Sequence, residues 1–411
     1  MMGDHNYDPV LEMASIRPEN TYHGVNPTLE DSITFAHDPV DLAAGFRGQM
    51  GNDFHIYGRF SHPSHAFLAR QFMAIDDAGF ALPLASGQAA AAVIVHGVCS
   101  RGDHIVASNR LYGGTVSLLD TLPEFRNIYV TRVDITDLRA VQKALRKSRA
   151  KLLFVESVSN PSLVACDIAA LAKLAHGVGA RLAVDNTFMP LAVLPLRLGA
   201  DMVMHSLTKF GNGQSDGLAG ILCVSHAYAE DLEAIKRFKS YLALHGPVLY
   251  HGLAHEISKR MLHLRIRFRE ASLAAQKVAE GLSNSGRAVF YPGLPGYAHQ
   301  LALNAIMRTT ELGFGAVLAA DLGTGEAAME FARKFDAVDG GYSAVSLGSG
   351  HTYICAPLAS VHCAQHDKAE QGLVNYRAPP ELTPGLVRIA CGYELPPEML
   401  WKKIAIAAEG L

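Results

Sequence analysis

A lysine, an aspartate, several hydroxyls and a glycine turn recur in this chain at the ends of short apolar runs. Ser86-Gly87-Gln88 closes one such run and opens an Ala-rich segment. A small-residue turn into a helix N-terminus presents free amides and a positive dipole end, which suits an anion. KLLFVE (Lys151 to Glu156) is followed by Ser159, Asn160 and Pro161. RLAVD ends at Asp185 and is followed by Asn186 and Thr187; DMVMHS ends at Ser206 and is followed by Leu207, Thr208 and Lys209. In open parallel sheets ligands bind beyond the carboxyl ends of the strands, so these groups converge on one edge. Taken singly, each has an ordinary explanation: a turn, a cap, or a solvated lysine whose stem covers apolar surface. Taken together they describe a distinct chemistry. A lysine at the end of a buried strand, with a lowered pKa, serves as a Schiff-base amine. An acid on the neighbouring strand holds a protonated pyridine nitrogen. Lysine, phosphate cup and aspartate are what pyridoxal 5'-phosphate (PLP) requires.

The elements that must carry these groups follow from the pattern. HIVAS (His104 to Ser108), NIYVTRV (Asn127 to Val133), KLLFVE, RLAVD, DMVMHS (Asp201 to Ser206) and AGILCV (Ala219 to Val224) read as strands. Between them the spacing predicts helices: Ala89 to Val98, one opening at LYGGT, one begun by Asp137 with Leu138, Val141 and Leu145 on one face, and Asp167 to Gly179. In the last, Asp167 is the expected N-cap and glycine ends the helix. Strands alternating with helices, buried on both faces, predict an α/β domain with a mainly parallel sheet. Beyond Ser258 the character changes to a helical stretch from Ile266 to Leu282, then AVFYPG, GAVLAADL and a helix from Gly325 to Phe335, which predicts a smaller α+β domain. The first sixty residues read as irregular chain that wraps another surface.

Composition narrows the class. The 411 residues, 49% hydrophobic, exclude a disordered chain and a disulfide-stapled mini-protein. A net charge of -3 leaves no basic excess for a phosphate backbone, so no nucleic-acid partner is expected. Six cysteines without a C-x-x-C pair, and a start without an apolar signal core, predict reduced thiols in a cytoplasmic protein. The uncharged run from Ala78 to Ser100 carries Gly79, Pro83, Gly87 and Gly97, and reads as strand, turn and buried helix, not a membrane span. Gly323-Thr324-Gly325-Glu326-Ala327-Ala328 after AVLAADL mimics a dinucleotide fingerprint, but it lacks the rest of a βαβ unit and reads as a strand-to-helix turn. His251 and His255 have helical metal spacing without a third ligand, and no metal is expected. His351 and His362 are each a candidate for the substrate pocket or, equally, a satisfied structural imidazole.

HSLTKF (His205 to Phe210) with the following GQSDGLAG resembles the signature of the Cys/Met-metabolism PLP-dependent enzymes. GDHIVASNRLYGGT, ESVSNPSL, VDNTF and GADMVMHS match in the family's order, IYGRFSHPS near the start is similar, and AVSLGSGHT, Pro357 to His362 and GLVRIACGYE fit its C-terminal domain. The resemblance implies fold type I, aspartate aminotransferase-like, with an arm (1–61), a PLP-binding large domain (62–258) and a small C-terminal domain (259–411). It implies Lys209 as the amine that binds PLP and moves protons, and Asp185 against the pyridine nitrogen. Ser86, Gly87, Gln88, Ser206 and Thr208 would hold the phosphate. Tyr112 would stack on the ring and protonate the leaving group, and Asn160 would sit near the phenolic oxygen. Arg388, beside Ser346, would clamp the substrate carboxylate. Tyr57 and Arg59 would reach the phosphate of a neighbouring subunit, making a homodimer the catalytic unit, paired into a tetramer. The implied activity is elimination of the γ-substituent of a sulfur-containing or related L-amino acid, as in methionine γ-lyases, giving 2-oxobutanoate and ammonia. The alternative is γ-replacement, as in O-acetylhomoserine sulfhydrylase or cystathionine γ-synthase. The chain departs from the pattern at Gly114, where methionine γ-lyases carry cysteine, at Val345, where members that handle cystathionine carry glutamate, and at Gln214, Phe210 and KRMLHL (Lys259 to Leu264).

Overall fold

Short apolar strands that end in polar residues build the larger of two sheets. The computed structural model describes residues 7–18, 24–51, 53–357 and 382–411. Strands β1 (Ala78–Leu84), β2 (His104–Ser108), β3 (Tyr129–Val133), β4 (Leu152–Glu156), β5 (Arg181–Asp185), β6 (Met202–His205) and β7 (Gly220–Ser225) lie in the order β1-β7-β6-β5-β4-β2-β3. Strands β2 to β6 run parallel. β7 is antiparallel to both β6 and β1, a reversal the apolar pattern of AGILCV does not announce. Along β4, Leu152 and Phe154 enter one core cluster while Leu153 and Val155 enter the cluster on the other face. That period of two, apolar on both sides, is the mark of a sheet covered by helices twice over.

The second sheet holds β8 (Ala288–Phe290), β9 (Val317–Asp321), β10 (Tyr342–Ser343), β11 (Tyr353–Cys355) and β12 (Leu386–Ala390), in the order β10-β11-β12-β9-β8. The helices Leu264–Asn284, Gly325–Ala337 and Pro397–Ala408 close its core, with Phe331, Phe335, Ile389 and Ile404 inside. The Gly323-to-Ala328 segment is the turn between β9 and the following helix, with Thr324 as N-cap.

Several expectations are corrected. The N-terminal segment is not wholly irregular: Pro9–Ser15 and Pro39–Phe46 are helical, each opened by an Asp-Pro pair whose aspartate accepts from an amide two residues on, at 2.9 Å. An aspartate N-cap followed by proline at the first helical position is a legible start signal. Leu138 is not on the buried face of its helix; it is 37% exposed, while Val141 and Leu145 are buried. The run from Ala78 to Ser100 is β1, a turn and the Gly87–Val98 helix, and no described helix is long and apolar enough to cross a membrane. Cys99, Cys166, Cys223, Cys355 and Cys391 are buried and free; Cys363 lies outside the described residues.

Candidate active site

The parallel strands deliver their C-terminal residues to one edge, and the second sheet brings an arginine strand over it. Between them lies a cavity of ≈ 360 Å³. Ser86, Gly87, Gln88, Tyr112, Asn160, Asp185, Ser206, Thr208, Lys209 and Arg388 all line it. Ser346 joins them by accepting from Lys209 Nζ at 3.0 Å. Tyr57 and Arg59 do not line it: Tyr57 is 38% exposed, and the Arg59 guanidinium lies over the Tyr57 and Phe60 rings. His351 also stands elsewhere, paired through Nδ1 with Glu394 and packed edge-on against Tyr342, which corrects its assignment to the substrate pocket. His362 lies outside the described residues. His251 meets Asp31 at 3.2 Å and stacks on His62, so its polar tip ties down the N-terminal segment.

Lys209 sits in the turn after β6, where its amide donates to Ser206 O at 3.1 Å. Burial and the positive Arg388 beside it lower its amine to about 8. The loop bearing Ser346 reaches it because Gly348 has no side chain. A Cβ there would stand 2.8 Å from the Lys209 carbonyl carbon, and its φ of +81 is the left-handed region that favours glycine.

The anion cradle is built at the start of the Gly87–Val98 helix. Ser86 Oγ caps it by accepting from Ala89 N at 3.1 Å, and the first intrahelical bond runs from Ala90 N to Ser86 O. The amides of Gly87 and Gln88 lie ahead of that bond. Gly87 packs so closely on Ser206 that a Cβ would meet the serine Cβ at 2.7 Å. Gln88 Nε2 donates to Gly114 O at 2.9 Å. Thr208 Oγ1 accepts from Ala219 N at 3.0 Å and donates to Ala219 O at 3.2 Å, so an anion would compete for its proton.

On the facing side, Asp185 accepts from Thr187 N at 2.9 Å and Thr187 Oγ1 at 2.6 Å. Burial raises its pKa against those two bonds. Arg388, 1% exposed on β12, donates from Nη2 to Ser346 O at 3.0 Å and from Nη1 to Asn160 Oδ1 at 3.4 Å. Its Nε is buried without a hydrogen-bond partner. A buried guanidinium at a cavity wall has the donor chemistry that a carboxylate would need.

Residues 11–400 match the profile of the Cys/Met metabolism PLP-dependent enzymes. The chain belongs to that family. Among its relatives, a methionine gamma-lyase of Arabidopsis thaliana is 37% identical over 96% of this chain and 88% of its own. An O-succinylhomoserine sulfhydrylase of Pseudomonas aeruginosa is 36% identical over 86% and 83%. A solved cystathione gamma lyase from Micromonospora echinospora superposes with a TM-score of 0.83 at 27% identity, covering 98% of this chain and 99% of that one.

The residues of this PLP enzyme fit its cofactor. Lysine, two amides at a helix start with a serine packed over them, and an aspartate at the cavity wall supply an amine, an anion cradle and a partner for a cationic ring nitrogen. The structure also lines the cavity with Thr187, named above only as a neighbour of Asp185, and with Thr115, Glu156, Val158, Phe188, Met204, Leu218 and Leu347, which the sequence did not single out. Of these, Glu156 carried a signal: it is the last residue of KLLFVE, the same position on its strand that Asp185 holds on RLAVD.

Proposed function

We propose that this chain is a PLP-dependent γ-lyase that releases the γ-substituent of a sulfur-containing or related L-amino acid as 2-oxobutanoate and ammonia form. The observation that carries the reading is the buried Arg388, which lines the same cavity as Lys209 and Asp185. Such a guanidinium selects an α-carboxylate and turns the substrate so that its Cα–H bond faces the lysine. When bound, PLP supplies an electron sink for the pair left at Cα.

The chain's own residues do the rest. Asp185, held in place by Thr187, would keep the cofactor's ring nitrogen protonated. Lys209 would take the α-proton, hand it on to the bound cofactor and, neutral again, take a second proton from Cβ; its lowered pKa suits an amine that must accept and return protons near neutrality. Tyr112 gives a proton to the leaving group. Ser86, Gly87, Gln88, Ser206 and Thr208 hold the phosphate, while Asn160 and Ser346 steady Arg388. Residues 62–258 thus serve the cofactor, and residues 259–411 supply the carboxylate clamp.

Specificity rests on the apolar part of the lining. Val345, Leu347, Leu218 and Phe188 line the cavity, which suits a compact apolar γ-group. A side chain at Gly114 would meet the Tyr112 ring at 2.5 Å, so the cysteine of methionine γ-lyases cannot enter here without moving that ring. The similarity to a methionine gamma-lyase supports elimination; that to a sulfhydrylase supports the transferase alternative. The test is a product assay on γ-substituted amino acids with and without sulfide. The expected result is 2-oxobutanoate in both arms. A new thiol amino acid formed only with sulfide, and no keto acid, would overturn elimination in favour of replacement.

The catalytic unit is proposed to be a cytoplasmic homodimer, paired into a tetramer. Val40, Phe46, Tyr57 and Phe60 leave an exposed aromatic and aliphatic face on the N-terminal segment, and Arg59 lies on it. Arg59 then reaches a neighbour's phosphate. Arg59→Ala is expected to weaken PLP retention about tenfold, the cost of one charge-assisted contact, with thermal melting of the cofactor-free protein unchanged. Dialysis followed by visible absorbance reads the first; a fully active monomer on sizing would refute the assembly.

A further inference from the structure

Glu156 is a carboxyl 5% exposed at the end of β4, beside its register partner Asp185 on β5. Its two oxygens are taken by two different loops. Oε1 accepts from the Tyr112 amide at 2.5 Å, and Oε2 accepts from the Asn160 amide at 3.1 Å. Tyr112 opens the Gly113–Arg126 helix without a side-chain cap of its own, so this bond from outside the helix fixes where the helix starts. Asn160 in turn accepts from Arg388 Nη1 at 3.4 Å. One side chain therefore connects the tyrosine on one side of the cavity to the arginine on the other.

We propose that Glu156 is a positioning residue of this active site: its carboxyl sets the Tyr112 ring and the Asn160 side chain together, and through Asn160 the Arg388 guanidinium. The inference rests on the roles proposed above for Tyr112 and Arg388. Burial and the adjacent Asp185 charge hold the Glu156 carboxyl well above the usual carboxylate range. Glu156→Gln keeps the shape of the side chain and changes its hydrogen bonds. The glutamine has one acceptor oxygen for two amides, and its NH₂ must face the second amide donor to donor.

The experiment uses purified holoenzyme, with Glu156→Gln and Tyr112→Phe made singly and together. Glu156→Gln is expected to lower kcat about tenfold through Tyr112, and to raise KM about tenfold through Asn160 and Arg388, each near the cost of one unanswered buried amide. In the Tyr112→Phe background the KM rise persists while the kcat loss shrinks below about twofold, because interacting residues are not additive. A role limited to holding the fold lowers the melting temperature without that split. The visible circular dichroism of bound PLP gives a readout that needs no substrate: its amplitude changes in Glu156→Gln at unchanged PLP content. If the wild type turns over no γ-substituted amino acid, the γ-lyase reading fails and the dichroism still decides the role of Glu156. Should Glu156→Gln not fold, Glu156→Asp, one methylene short of both amides, is expected to shift kcat, KM and dichroism in the same directions. Kinetics within twofold of wild type with unaltered dichroism, or a kcat loss undiminished in the double variant, would overturn the proposal.

Discussion

Replacing Lys209 with alanine is expected to abolish both the covalent attachment of PLP and nearly all turnover. Among the described residues no other lysine lines the cavity. The loss combines the attachment with the proton transfers at Cα and Cβ, and general acid–base catalysis alone contributes up to about 10⁴-fold. A fall in kcat of about 10⁴-fold or more is therefore expected. Lys209→Arg keeps the charge but offers no amine that deprotonates near neutrality, and is expected to be equally inactive while folding normally. The lowered amine adds a pH dependence. Only the neutral amine attacks the cofactor's aldehyde, and with a value of about 8 roughly a fifth of it is neutral near pH 7.4. The rate at which the cofactor-free protein captures PLP should then rise with pH and level off above about 8. Stopped-flow absorbance reads the rate, and borohydride reduction with peptide mapping reads the residue. Label on any other lysine would refute the assignment.

The residues that this chemistry needs were legible because they end strands whose own signal is strong. HIVAS and RLAVD are strands over the same residues that the apolar pattern predicts, since burial on both faces leaves a continuous apolar run bounded by polar ends. Those ends place Asp185, and the turn after DMVMHS places Lys209. The direction of β7 was not legible, because a doubly buried strand reads the same forwards and backwards. Glu156 was passed over for a different reason. An acid at a strand end resembles a solvated terminus, and what buries it here are the loops of Tyr112 and Asn160, the first 44 residues away in sequence. His351 has a side chain suited to a pocket, yet its position follows from Glu394, and that pairing has no trace in the local pattern. Tyr57 and Arg59 carry a family motif but stand outside the cavity of their own chain, so one chain's geometry does not contain their purpose.

Substitution at Arg388 should separate carboxylate recognition from charge. The guanidinium is the largest fully buried side chain of the described residues, and two of its nitrogens are held by Ser346 O and Asn160 Oδ1. That support fixes the plane of the fork at the cavity wall. Arg388→Lys keeps a positive charge near Lys209 but loses the fork, the planar geometry and the bond to one of the two supports. Truncating one partner of a buried charged pair costs about 2–4 kcal/mol, which is about 30- to 1,000-fold. The loss is expected in kcat/KM for the amino acid, with KM taking the larger share because the clamp holds the ground state as well. PLP content should stay near wild type, since the cradle at Ser86-Gly87-Gln88 and the amine at Lys209 lie on the other sheet. Steady-state kinetics on the L-amino acid and on its carboxamide give the decisive comparison. The wild type should strongly prefer the free carboxylate, and Arg388→Lys should narrow that preference by at least about tenfold. An unchanged preference would show that the α-carboxylate is bound elsewhere, and the orientation that hands the Cα proton to Lys209 would then need another source.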